Sequence, residues 1–234
     1  MKTTIQLILQ VVITLALTPL VKGQEVNLFI QKVKSKIEKI NDYEASGKLK
    51  TNVAFLKVPI SNVIVYFKKP NLLKIKSAKG ISFVPKGAVS INLNNLLSSS
   101  KYTVLDAGTA MIDNNTVRII KLLPEEEYSE IVLSTLYIDE INLVILKSKT
   151  TTRDNGSYEL EMKYGRYVDF ALPDKIIFSF NTKEYKLPKG VTFDFDDGSE
   201  TKKTSDKVKN RKGRVEININ RYIINKGVEN SVFR

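Results

Sequence analysis

The side chains that do most protein chemistry near neutral pH are missing from this chain of 234 residues. It has no histidine, no cysteine and no tryptophan. Without cysteine there is no disulfide framework, no thiolate metal site and no thiol nucleophile. Without histidine there is no imidazole general base, so a Ser–His–Asp arrangement is excluded. Lysine, serine, tyrosine and the carboxylates remain available. Neither a Gly-x-Ser-x-Gly elbow nor a Ser-x-x-Lys pair stands where it could make a nucleophile. Asp194-Phe195-Asp196-Asp197-Gly198 resembles the start of a calcium loop but lacks its acid spacing and closing glutamate. Glu125-Glu126-Glu127 reads as a charged turn after Pro124. Asn114-Asn115-Thr116 and Asn155-Gly156-Ser157 are glycosylation sequons that matter only in a eukaryotic secretory host. No catalytic residue, metal or cofactor is expected. The chemistry left to the chain is binding.

Charge gives one clue to a partner. There are 37 basic and 25 acidic side chains, a formal net charge of +12. Lys202, Lys203, Lys207, Lys209, Arg211, Lys212 and Arg214 fall within one short stretch, opposed only by Asp206. Such a cluster either attracts an anionic membrane surface or an acidic partner, at about 1 kcal/mol per charge, or is a solvated loop. No basic motif is interleaved with aromatics, so nucleic acid is not expected.

Residues 1–23 form a separate unit. Lys2 is followed by an apolar run from Ile5 to Leu17, then Pro19 and Val21-Lys22-Gly23. The run is too short for the roughly 20 residues that span a bilayer. It reads as a secretory signal peptide cleaved near Gly23. Removing its two lysines, Lys2 and Lys22, leaves 35 basic against 25 acidic residues, or +10. An exported chain without cysteine must be held together by core burial alone, and residues 24–234 are enough for a single domain.

Glu25–Ile40 is the clearest helix, with Val26, Phe29, Ile30, Val33, Ile37 and Ile40 at helical spacing. Strands follow. Ala45–Phe55, Ile60–Lys69 and Leu72–Ser77 come first, then two runs within Thr103–Leu123 turning at Asp113-Asn114-Asn115. Glu130–Tyr137 and Asn142–Thr151 pair through Asp139-Glu140. Tyr158–Tyr164 alternates strictly after the Asp154-Asn155-Gly156 turn. Asp174–Asn181, Val191–Phe195 and Val215–Ile224 complete the set. Ile91–Ser100 is a weaker helix candidate, and 196–212 an exposed charged loop. About ten short strands without βαβ spacing imply a mainly β fold of α+β type. Its sheet is antiparallel, twisted, and curled or partly closed.

A signal segment, an amphipathic helix and a strand ending in Phe67-Lys68-Lys69-Pro70-Asn71-Leu72-Leu73 resemble the LolA-like periplasmic lipoprotein carriers. Arg153-Asp154-Asn155-Gly156-Ser157-Tyr158 and Leu187-Pro188-Lys189-Gly190-Val191 add to the resemblance, which covers most of residues 25–195. Gly213–Phe233 extends beyond the short carriers and is similar to the tail of larger LolA-like proteins. The resemblance implies an incomplete β-barrel whose concave face is covered by helices. The cavity between them would take acyl chains of lipoproteins or lipids for delivery toward the outer membrane, with inner- and outer-membrane proteins as partners. It also implies a lid latch at Lys69, where the carriers often have an arginine bonded to lid carbonyls. Lysine keeps the charge without the planar fork. Residues alternating onto one strand face become the candidate lining: Val63, Val65, Phe67, Leu73, Ile75, Leu160, Met162, Phe178, Phe180, Ile217 and Ile219. Each could equally be ordinary core. The alternative is a regulatory or scaffold domain on the same fold, acting in the periplasm by protein–protein contact.

Overall fold

The structure, a computed structural model, describes residues 24–52, 59–70, 72–77, 102–154, 156–181 and 212–234. Residues 24–37 form a helix, α1. Its buried positions are Val26, Ile30, Val33 and Ile37, and Ile40 continues the stripe past the helix end. That spacing puts one apolar face against the sheet and leaves the lysines in water.

Ten strands follow. They are β1 (Asp42–Asn52), β2 (Ser61–Lys68), β3 (Leu72–Ser77), β4 (Tyr102–Ile112) and β5 (Asn115–Pro124), then β6 (Ile131–Asp139), β7 (Val144–Thr152), β8 (Ser157–Lys163), β9 (Lys175–Asn181) and β10 (Lys212–Ile224). All belong to one sheet in the order β3-β2-β1-β10-β9-β8-β7-β6-β5-β4. Neighbours pair antiparallel, and β4–β5 and β6–β7 do so across short turns. The fold is mainly β with one helix among the described residues. Among the described residues the sheet is not closed, and β3 and β4 are its two edges. Its far end curls: Lys163 at the end of β8 forms an ion pair with Asp113 in the β4–β5 turn, at 3.4 Å. A flat sheet would hold β8 and β5 about 14 Å apart.

Register places the apolar residues on one face. Leu49 faces Ile217, Ile217 faces Ile176, and Ile176 faces Met162. The next rung runs Val215, Phe178, Leu160. These side chains and the α1 stripe form a single core. Alternate positions carry the charge, with ion pairs Lys147–Glu159 at 3.3 Å and Lys175–Glu216 at 2.8 Å.

Most expected strands appear within a few residues of their sequence bounds. The Asp113-Asn114 turn is a two-residue hairpin with φ of 46° and 66°, the left-handed pair that Asn and Asp tolerate. The first strand begins earlier than expected, at Asp42, because pairing with β2 and β10 extends it to the helix end. Residues 1–23, the run 191–195 and the weak helix 91–100 lie outside the described residues. So does the charged loop up to 211, including Lys202, Lys203, Lys207, Lys209 and Arg211. Lys212 opens β10, and Arg214 lies on it, exposed and 3.7 Å from Glu216.

Candidate functional site

Between the C-terminal half of α1 and the sheet lies an apolar cavity of about 80 Å³. Ile37 and Ile40 cover it. Its floor is built from strand neighbours: Ile75, Val65, Ala45 and Tyr222 sit side by side on β3, β2, β1 and β10. Ile217, Ile176 and Met162 continue it across β9 and β8. Among the described residues, no charged side chain lines the cavity. A dry cavity of about 150 Å³ holds one benzene, so this one as it stands admits no long chain. Uptake of a chain requires its cover to move.

Seven of the eleven residues that sequence alternation singles out line this cavity: Val65, Phe67, Leu73, Ile75, Met162, Ile217 and Ile219. The other four, Val63, Leu160, Phe178 and Phe180, are buried in the surrounding core. Alternation assigned the face, but the distance of each rung from α1 decides which residues meet the void. The segment 165–173, between the expected strands Tyr158–Tyr164 and Asp174–Asn181, was missed. It contributes Phe170, Ala171, Leu172 and Pro173 to the wall. Its only regular element is a three-residue 3₁₀ turn, Val168–Phe170, which is too short to show a periodicity.

That wall is stitched to β10. The Tyr222 hydroxyl donates to Pro173 O at 2.8 Å, Ile219 N–H to Asp174 O at 2.7 Å, and the Arg166 guanidinium to Asn220 O at 2.7 Å. Beyond it, Met162 and Val168 also line a wider, open hollow of about 920 Å³. This hollow has a mixed lining that includes Asp139, Lys147, Glu161 and Lys163.

The cover is held differently, by side chains at its two ends. Near the start of α1, Arg118 on β5 contacts Glu25 at 3.3 Å and Asp106 at 2.7 Å, and its guanidinium lies 5.2 Å from the centre of the Phe29 ring. At the other end, the Lys69 ammonium donates to the Glu38 carbonyl and to Asn41 Oδ1 at 3.3 Å. A cation there meets the carbonyls that a helix end leaves unpaired. Asn225 spans the same junction. Its amide donates to Lys39 O at 2.9 Å and its oxygen accepts from Asn41 N–H at 2.7 Å. Lys36 donates to Asn142 O at 2.6 Å. Exposed polar contacts of this kind are worth about 1 kcal/mol or less each, so the cover is held but not locked.

No protein-family model matches the chain, and no curated protein matches it in sequence. Solved structures do match its shape. A putative outer membrane lipoprotein-sorting protein domain from Vibrio parahaemolyticus shares 12% identity at a TM-score of 0.52, covering 90% of this chain and 97% of that one. A LolA superfamily protein from Nitrosomonas europaea shares 10% identity at 0.52, covering 87% and 96%. The fold is LolA-like. A DUF1329 family protein from Desulfovibrio piger has a similar shape, at 10% identity, a TM-score of 0.55, and coverage of 89% and 97%. Identities this low speak for the LolA-like fold alone. Within that fold, the helix-covered concave face is where this chain places its cavity.

Proposed function

We propose that this protein binds an acyl chain of a lipoprotein or lipid between α1 and the concave face of its LolA-like sheet, and releases it without making or breaking a bond. One observation carries the reading: an apolar cavity, without charged lining among the described residues, lies beneath a helix held at its two ends by weak polar contacts. Each methylene moved from water into such a site contributes about 0.8 kcal/mol. Lifting Ile37 and Ile40 off the sheet exposes apolar area that the chain must cover again. The internal contacts therefore offset part of the binding energy, and the net affinity stays low enough for release. Lys69 acts as the latch of the closed cover through its bond to the Glu38 carbonyl. The protein works as an exported, periplasmic carrier that moves its cargo between membrane partners. It is not an enzyme, and residues 1–23 are its signal peptide.

A second reading is favoured by the size of the cavity. At about 80 Å³ it is nearly filled by the protein's own side chains, as a scaffold domain acting by protein contact would have it. Native mass spectrometry of the protein mixed with a lipid bearing one 16-carbon acyl chain separates the two. The carrier reading expects one chain per protein, taken up faster by Lys69→Met than by wild type. Absence of any adduct would leave the scaffold reading.

A further inference from the structure

Segment 225–234, which follows β10, leaves the sheet on a turn that grips the end of α1. Asn225 makes that turn with φ of 54°, a left-handed conformation that asparagine tolerates. Its side chain meets three backbone groups at the α1–β1 junction. The amide donates to Lys39 O at 2.9 Å, and the oxygen accepts from Asn41 N–H at 2.7 Å and from Asp42 N–H at 3.3 Å. Two residues on, Gly227 N–H donates to the Asp42 carboxylate at 2.9 Å. Ile40, which covers the cavity, lies between the residues so held.

The rest of the segment is fastened to the other face of the sheet. The Lys68 ammonium on β2 donates to Val228 O and to Asn230 Oδ1, both at 2.8 Å, and the Lys74 ammonium on β3 donates to Arg234 O. Lys68 and Lys74 alternate with Phe67 and Leu73, which line the cavity, so they leave their strands on the opposite face. Val228 is buried. Lys68 also immediately precedes Lys69, whose ammonium holds the Glu38 carbonyl. One segment therefore meets the cover through Asn225 and the latch strand through Lys68.

We propose that segment 225–234 is a strap that sets the resting position of α1, with Asn225 as its positioning residue. While the strap is seated, Asn225 keeps Lys39 and Asn41 against the sheet end, and Ile37 and Ile40 stay over the cavity. Lifting the strap from Lys68 and Lys74 frees the turn, and α1 loosens at the end where Lys69 latches it. The face of the sheet away from the cavity thereby acts on the cover without touching the ligand. The purpose of this control rests on the acyl-chain reading above, whereas the coupling itself does not.

The test is amide hydrogen exchange of the full chain without ligand, read at Glu38, Lys39 and Ile40, whose N–H groups bond back into α1. Asn225→Gly keeps the left-handed turn and removes the three side-chain bonds. Lys68→Met with Lys74→Met releases the strap and leaves Asn225 in place. Each change is expected to speed exchange at these amides about fivefold or more, the order expected for losing exposed hydrogen bonds, with β6, β7 and β8 unchanged. All three substitutions together should do no more than Asn225→Gly alone, because the strap acts through Asn225. Wild-type exchange in the lysine variant, or effects that multiply in the combination, overturns the strap. Uptake of the lipid bearing one 16-carbon chain is then compared, and the lysine variant is expected to load faster than wild type. Loading at the wild-type rate despite faster exchange overturns the strap's control of the cavity. No loading by any variant overturns the acyl-chain reading and leaves the strap standing.

Discussion

Ala45→Leu is expected to abolish acyl-chain binding while leaving the protein folded. Ala45 is fully buried on β1, between Val65 on β2 and Tyr222 on β10, and its methyl group faces the cavity. Leucine adds three carbons where the void of about 80 Å³ lies. The added methylenes gain burial at about 0.8 kcal/mol each, and strain from an imperfect fit costs a similar total, about 1–3 kcal/mol. The two offset, so unfolding stability should stay within about 1 kcal/mol of wild type. Binding has no such compensation. The bound chain and the new side chain compete for one space, and affinity should fall at least tenfold, about 1.4 kcal/mol or more. Native mass spectrometry with the single-chain lipid reads the binding, and urea unfolding reads the stability. A variant that is folded and binds as wild type does would place the ligand elsewhere.

Gly47→Ala is expected to cost about 3 kcal/mol of stability, among the larger effects of a single substitution. A Cβ at Gly47 would collide with the Asn218 carbonyl oxygen and lie 3.2 Å from both Asn218 C and Ile219 Cα. All three are backbone atoms of the neighbouring strand, and none can rotate away. The position is also where the β1–β10 register shifts, between Ser46 and Gly47. The two strands must part there to admit a methyl group. This pairing joins the first strand to the last and carries Ala45, Leu49, Ile217 and Ile219 across it, so the cavity floor would separate with it. Urea denaturation of the two proteins measures the loss. A change below about 0.5 kcal/mol would mean that the strands are not this close.

Much of the fold was legible because it rests on short-range pattern. The α1 stripe and the alternation in β2, β8 and β10 identify which residues face inward, and the Asp113-Asn114 turn fixes one hairpin. The floor of the cavity follows from the same alternation. What sequence could not give is what closes the cavity. Segment 165–173 becomes a wall only through long-range bonds to β10, such as Tyr222 to Pro173, 49 positions apart. Arg118 reaches Glu25 across 93 positions, and neither residue type marks itself as a clasp. Lys69 was visible only through its family resemblance, and in the structure its ammonium sits against the end of α1.

The location of the bound chain tests the central claim most directly. A 16-carbon acyl chain carrying a photoactivatable group at mid-chain can be bound, irradiated and mapped by peptide mass spectrometry. The prediction is cross-links on both sides of the cavity, at Ile37 or Ile40 on α1 and at Val65, Ile217 or Leu172 opposite. Cross-links confined to the charged outer face around Lys147 and Lys175, with none beneath α1, would contradict it.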